Sequence, residues 1–275
     1  MEINHQKIEQ IIVEASEQEI LPRWKNLQQQ DIEQKSSDEV VTAADHACEE
    51  LLTSRLLKLL PGSLVVGEEG VHKDPYQLDA LHSDLPVWVI DPLDGTKNYV
   101  SGKVPFSIMV CLIQHGEILA AWLYDPLERV FTSAEKGCGA FQGTERLQVD
   151  ATVQPLSQLN GALLTKFLPA SLKAVAESSE NQFKQIHRSY CAGFDYPALV
   201  NNRMQFLFYY RTLVWDHAPG ILIAQEAGAV ALRFDGSNYS PLDDRKGLLC
   251  ASNMDIWRAI QQATVPGITV NNLLQ

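Results

Sequence analysis

Ile8, Ile11, Ile12 and Ala15 recur at helical spacing, so the chain is expected to open on an amphipathic helix that Pro22 interrupts or kinks. The polar run from Gln28 to Asp38 reads as a loop. Thr42 with Asp45 three residues later has the form of a capping box, and Ala44, Ala47, Cys48, Leu51, Leu52 and Leu56 give a second helix its apolar face until Pro61 and Gly62 stop it. The period then changes. LVVGEE and VWVIDP are short apolar runs ending in acidic or turn residues, the pattern of buried strands that deliver carboxylates at their ends. From Ser107 to Val149, β-rich runs separated by turns at His115-Gly116, Asp125-Pro126 and Lys136-Gly137 predict an antiparallel meander. Beyond Asp150, expected helices near Ala170 to Glu180, Asp195 to Asn201, Asp216 to Ala227 and Asn253 to Gln262 alternate with the strand-like runs GALLT, MQFLFYY, AVALR and GLLCAS. That is an α/β half. The chain is therefore expected to divide into residues 1–150 and 151–275, packed as one body because no Pro/Gly/Ser linker separates them.

Composition narrows the function. Hydrophobic residues at 45% and charged residues at 20% are ordinary for a globular chain of 275 residues. A net charge of -12 repels a polyanion, so no nucleic-acid polymer is expected as a partner. A small phosphate ligand is not excluded, since bound divalent cations can invert the local field. Cys48, Cys111, Cys138, Cys191 and Cys250 are scattered and form no CxxC pair, which fits buried, reduced thiols. The opening MEINHQKIEQIIVEASEQ has no signal-peptide apolar stretch, and no run of about 18 apolar residues occurs. A soluble, cytoplasmic protein without membrane attachment is expected.

The most informative stretch is WVIDPLDGTKNY, residues 88–99, where an apolar strand ends in Asp91 and a Pro-containing turn brings Asp94 three residues on. Two carboxylates so close can face one cation, and oxygen ligands without His or Cys suit a hard ion such as Mg²⁺. The N–H groups of Gly95 and Thr96 could cradle a phosphate. Glu68 and Glu69 end LVVGEE, and Asp216 begins the expected helix after an aromatic-rich run. His217 beside it reads as a structural group rather than a ligand, and the five tryptophans as core. The acidic pairs Glu49-Glu50 and Asp243-Asp244 are expected to face solvent. Phosphate monoester hydrolysis calls for accelerations up to about 10²¹, whereas one general base gives roughly 10² to 10⁴, so charge stabilisation by metal ions must carry most of it.

At these residues the sequence resembles the inositol monophosphatase family: GEEG at 67–70, WVIDPLDGTKNY, WDHAPGILIAQEAG at 215–228 and KSSDEVVTAAD at 35–45 look like four separated family blocks in the family's order. The resemblance implies the layered αβαβα fold of the inositol monophosphatase and sugar phosphatase type, and a magnesium-dependent phosphoric monoester hydrolase. It implies one metal held by Glu68, Asp91 and the Leu93 carbonyl, and a second by Asp91, Asp94 and Asp216. Thr96 with Glu68 would activate the nucleophilic water, Gly95 and Thr96 would hold the phosphate, and Asp94 and Asp216 would border the substrate. Lys35 and Asp45 match a loop and helix that shape a third, weaker metal site, so two or three Mg²⁺ ions are expected. Family members are typically homodimers and often inhibited by lithium.

Departures bear on the substrate. GEES has become GEEG, CAGFDYPAL at 191–199 replaces the family's GSAA segment, and FYYRTLVWD sets Arg211 about where a Glu is expected. Arg211 is expected to contact an anionic part of the substrate, because guanidinium suits bidentate oxyanion binding. Inositol phosphate, histidinol phosphate, fructose 1,6-bisphosphate and a nucleotide bisphosphate all remain open. The alternative from another class is a catalytically silent scaffold or binding protein.

Overall fold

The computed structural model describes residues 3–36 and 39–268. Its first helix, α1 (His5–Ala15), buries Ile8, Ile12 and Ala15. A π-helical turn over Ser16–Ile20 and a 3-10 turn over Leu21–Arg23 follow, so the helix loosens ahead of Pro22 as well as at it. The stretch expected as loop instead contains an antiparallel ribbon, β1 (Ile32–Ser36) against β2 (Glu39–Thr42), with Ile32 opposite Thr42. A half-exposed ribbon satisfies its backbone by pairing and needs no apolar face, which is why the hydrophobic pattern is silent there. Thr42 then caps α2 (Ala43–Leu59): its N–H donates to Asp45 Oδ2 at 2.8 Å, and its Oγ1 accepts from Ala44 N at 3.1 Å.

β3 (Leu64–Gly67) is followed by the short helix α3 (Glu68–Lys73), and β4 (Val87–Asp94) by another, α4 (Thr96–Val100). Glu68 and Glu69 thus open a helix rather than close a strand. β5 (Ser107–Gln114), β6 (Glu117–Asp125), β7 (Val130–Glu135), β8 (Gly139–Gln142) and β9 (Glu145–Leu147) continue as the expected meander. Among the described residues these strands make a seven-stranded sheet in chain order, β3 parallel to β4 and the rest antiparallel.

The remaining strands are β10 (Asn160–Leu163), β11 (Gln185–His187), β12 (Phe206–Tyr209), β13 (Val230–Leu232) and β14 (Leu248–Ala251). They form a five-stranded sheet ordered β11-β10-β12-β14-β13. Four helices accompany it: α5 (Ala170–Ser178), α6 (Ala192–Val200), α7 (Val214–Glu226) and α8 (Met254–Thr264).

Alternation along the strands sorts the core into layers. On one face of the large sheet, Trp88, Ile90, Ile108, Val110 and Trp122 pack against Ile8, Ile12, Cys48 and Leu52 of α1 and α2. The opposite face, with Val89, Met109, Cys111 and Leu123, packs against α6 and α7, whose other side meets Leu207, Tyr209 and Cys250 of the small sheet. Phe206, Phe208 and Leu249 on that sheet's far face cover Ile256, Trp257 and Ile260 of α8 together with Ala176 of α5. The order is helix, sheet, helix, sheet, helix. Because α6 and α7 are sandwiched, they are apolar nearly all round, as such a position requires.

Candidate active site

Residues three apart on a regular strand point to opposite faces. Asp91 and Asp94 escape this because the register slips between the pairs Asp91↔Met109 and Asp94↔Ser107, a bulge through Pro92 and Leu93 inside β4 rather than a turn beyond it. Glu68 enters from the first turn of α3 and Asp216 from the first turn of α7. Asp91 is buried at 2% exposure, while Glu68, Asp94 and Asp216 are half-buried around it.

Burial pushes the Asp91 carboxyl well above the usual carboxylate range, and repulsion by Glu68, Asp94 and Asp216 pushes it further. Asp216 is raised in the same way, by burial first and then by Glu68 and Asp94, with the Arg211 charge opposing. Asp94 is pushed up to about 6, again by burial first, against the pull of the N–H bond from Gly193. The structure therefore brings together four acids separated by up to about half the chain, close enough to repel one another. Among the described residues no three His, Cys, Asp or Glu side chains stand in a ligating arrangement, so these carboxyls are near enough to repel one another without being drawn into a coordination shell. An oxygen-only donor set of this charge fits a hard divalent cation such as Mg²⁺.

Thr96 opens α4 immediately after Gly95, whose φ of +83° is the left-handed conformation that favours glycine; a Cβ there would stand 2.9 Å from the Pro105 carbonyl oxygen. The Thr96 hydroxyl lies 2.9 Å from the Leu93 carbonyl oxygen and 3.2 Å from Asp45 Oδ1. Asp45 is fully buried, accepts from both the N–H and the hydroxyl of Thr42, and is pushed up to about 7 by burial first. It stands as the partner of Thr96. Lys35, the other residue matched to the third-metal loop, has its side chain outside the described residues.

The loop after β11 closes on the same place. Gly193 N donates to Asp94 Oδ2 at 2.6 Å, and Asn98 Nδ2 donates to the carbonyls of Pro105 and Ser189 at 2.8 Å each. Behind it, Asp195 accepts from Ser189 Oγ at 2.6 Å and Tyr209 OH at 2.7 Å. His217 is structural: its Nε2 must carry the proton, since it faces the Arg211 carbonyl at 3.0 Å, which leaves Nδ1 to accept from Tyr196 OH. Burial holds this imidazole down at about 3, so it stays neutral. Arg211 is ion-paired with Glu39 on β2, and its guanidinium lies 4.3 Å from the centre of the Phe167 ring.

Two expectations need correction, those for Glu49 and Cys138. Glu49 does not face solvent: its carboxylate receives the N–H groups of Glu69 and Gly70 at 2.8 and 2.7 Å, anchoring the first turn of α3 that presents Glu68. Asp243 and Asp244 are exposed as expected, Asp243 pairing with the buried Arg233. Cys138 is exposed, whereas the other four cysteines are buried. Asp45 is expected near the site, but its hydrogen bond with Thr96, the contact of Gly193 with Asp94 and that of Glu49 with the first turn of α3 carry no local mark in the sequence. For Asp45 and Glu49 the helical spacing of α2 signals only that both lie on its inward side.

The profile of the Inositol monophosphatase family matches residues 4–267. A Nus factor SuhB of Xylella fastidiosa is 30% identical over 243 residues, 84% of this chain and 84% of that protein. An inositol-1-monophosphatase SuhB of Mycobacterium tuberculosis is 32% identical over 203 residues, 72% of this chain and 69% of that one. Among solved structures, the extragenic suppressor protein suhB of Bartonella henselae superposes with a TM-score of 0.80 at 24% identity, covering 95% of this chain and 99% of its own.

Proposed function

The chain belongs to the inositol monophosphatase family, and on that premise we propose that it is a Mg²⁺-dependent hydrolase of a small, soluble phosphate monoester. The observation that carries this reading is the convergence of Glu68, Asp91, Asp94 and Asp216 beside the Thr96 hydroxyl. Glu68, Asp91 and the Leu93 carbonyl would hold one ion, and Asp91, Asp94 and Asp216 a second. Bound there, the ions supply charge stabilisation and a water of lowered pKa. Thr96 has one hydrogen to give and gives it to Leu93 or Asp45, so its oxygen lone pairs are left to accept from the attacking water. Glu68 orients the same water, and Asp45 offers a buried carboxylate to which a proton can pass through Thr96. The N–H groups of Gly95 and Thr96 hold the ester phosphate. Asp94, Asp216 and Arg211 border the rest of the substrate.

The same reading carries a cytoplasmic homodimer, inhibition by lithium and a division near residue 150. No helix among the described residues is long and apolar enough to cross a membrane. A second reading, a binding role without turnover, is favoured by the name of the Xylella fastidiosa relative, a Nus factor. Phosphate release from inositol 1-phosphate, histidinol phosphate, fructose 1,6-bisphosphate and adenosine bisphosphate, with and without Mg²⁺, separates the two. Mg²⁺-dependent release from at least one ester is expected; silence on all four would favour the binding role.

A further inference from the structure

The strands β11, β10 and β12 run parallel and side by side, with Ala162 opposite His187 and Leu163 opposite Phe208. Loops leaving their carboxyl ends therefore emerge together, at the edge where open α/β sheets take their ligands. The loop after β11 leads to Gly193, which touches Asp94; the loop after β10 carries Phe167; the loop after β12 carries Arg211. Arg211 is fixed by its neighbours. Its carbonyl accepts from His217, its guanidinium lies against the Phe167 ring, and Nη1 is paired with the Glu39 carboxylate.

The Arg211 and Glu39 side chains are 32% and 38% exposed, and Asp216 feels both charges, the arginine favourably and the glutamate unfavourably. A half-exposed pair contributes little to folding. Its position is more telling than its strength. The guanidinium fork meets carboxylate and phosphate oxygens in the same planar geometry, so Glu39 is a chemical stand-in for an acidic group arriving from solvent. Phe167 keeps the fork oriented whether or not Glu39 is on it.

We propose that Arg211 selects substrates carrying a second acidic group besides the scissile phosphate, and that Glu39 occupies the place this group takes. The inference rests on the phosphatase reading above and names its substrate class. An ester with a second anion displaces Glu39; an ester without one leaves the pair intact.

The test compares fructose 1-phosphate with fructose 1,6-bisphosphate in Mg²⁺, on the wild type, Arg211→Gln, Glu39→Gln and the double variant. The quantity read is the KM of the monophosphate divided by the KM of the bisphosphate. Arg211→Gln lowers this ratio by about tenfold or more, the size of losing a hydrogen-bonded charge. Glu39→Gln raises it by about threefold, since the competitor for the guanidinium is gone, and the double variant follows Arg211→Gln. Each single variant breaks the same ion pair, so a purely structural pair would shift the ratio the same way in both. That result, or an unmoved ratio, overturns the proposal. Failure of the phosphatase reading looks different: the wild type would release phosphate from neither ester. Calorimetric titration with fructose 1,6-bisphosphate in Mg²⁺ then reads the subsite directly, weaker binding by Arg211→Gln and tighter binding by Glu39→Gln supporting it, and equal binding by all variants overturning it.

Discussion

At the scale of single residues, Asp94 has two roles that substitution can separate. Its carboxylate repels Glu68 and accepts the Gly193 N–H. An asparagine keeps an oxygen for that N–H and removes one of the crowded charges. Asp94→Asn is expected to cut kcat by about a hundredfold or more while the melting temperature in EDTA holds or rises. Normal turnover would remove Asp94 from the ligand set. Thr96 is tested by a pair of variants. Thr96→Val deletes the hydroxyl between Leu93 and Asp45 and is expected to cost roughly 10² in kcat, whereas Thr96→Ser keeps most of it; equal loss in both would make the methyl, not the hydroxyl, the working part. Asp91 and Asp94 were legible in the sequence because a strand, a proline and two acids stand in one short run. The partner of Thr96 was not, because Asp45 lies 51 residues away and local spacing reports its cap to Thr42 but not its second contact.

At the scale of elements, helices α2 and α5 to α8 and the meander followed from hydrophobic period and turn chemistry, while the β1–β2 ribbon did not, since its order comes from backbone pairing. Hydrophobic spacing predicts α6 from Asp195, whereas the helix begins three residues earlier at Ala192. Its first turn opens on the apolar run Ala192-Gly193-Phe194 and has no side-chain cap; its place is set by contact with Asp94 and Ser107. Asp195 in that turn links stability to pH. Burial raises its carboxyl to about 7, against the hydrogen bonds from Ser189 and Tyr209 that pull it down. The folded pKa lies above the unfolded value of about 3.9, so the folded chain holds the extra proton. The stability this confers is full below about pH 4 and is lost as the pH rises to about 7. Asp195→Asn has no such charge to bury. Its melting temperature relative to the wild type is expected to climb between pH 5 and pH 8; a difference that stays constant over this window would contradict the assignment.

At the scale of the whole molecule, five layers bring acids from α3, β4 and α7 near one another, and no one layer holds the set. The helix-sheet alternation was readable because α/β pattern and meander differ in period, but the convergence was readable only through the family resemblance, since long-range order leaves no local mark. Ions bound among these acids favour the folded chain, and Mg²⁺ at a hundred times its Kd is expected to add about 2.7 kcal/mol, seen as a higher melting temperature. An unchanged melting temperature at millimolar Mg²⁺ would count against preformed sites. Diffraction from a crystal grown with Mn²⁺, recorded at the manganese absorption edge, tests the central claim most directly. The account predicts anomalous peaks between Glu68, Asp91, Asp94 and Asp216; manganese bound elsewhere, with these four carboxyls touching no ion, would contradict it.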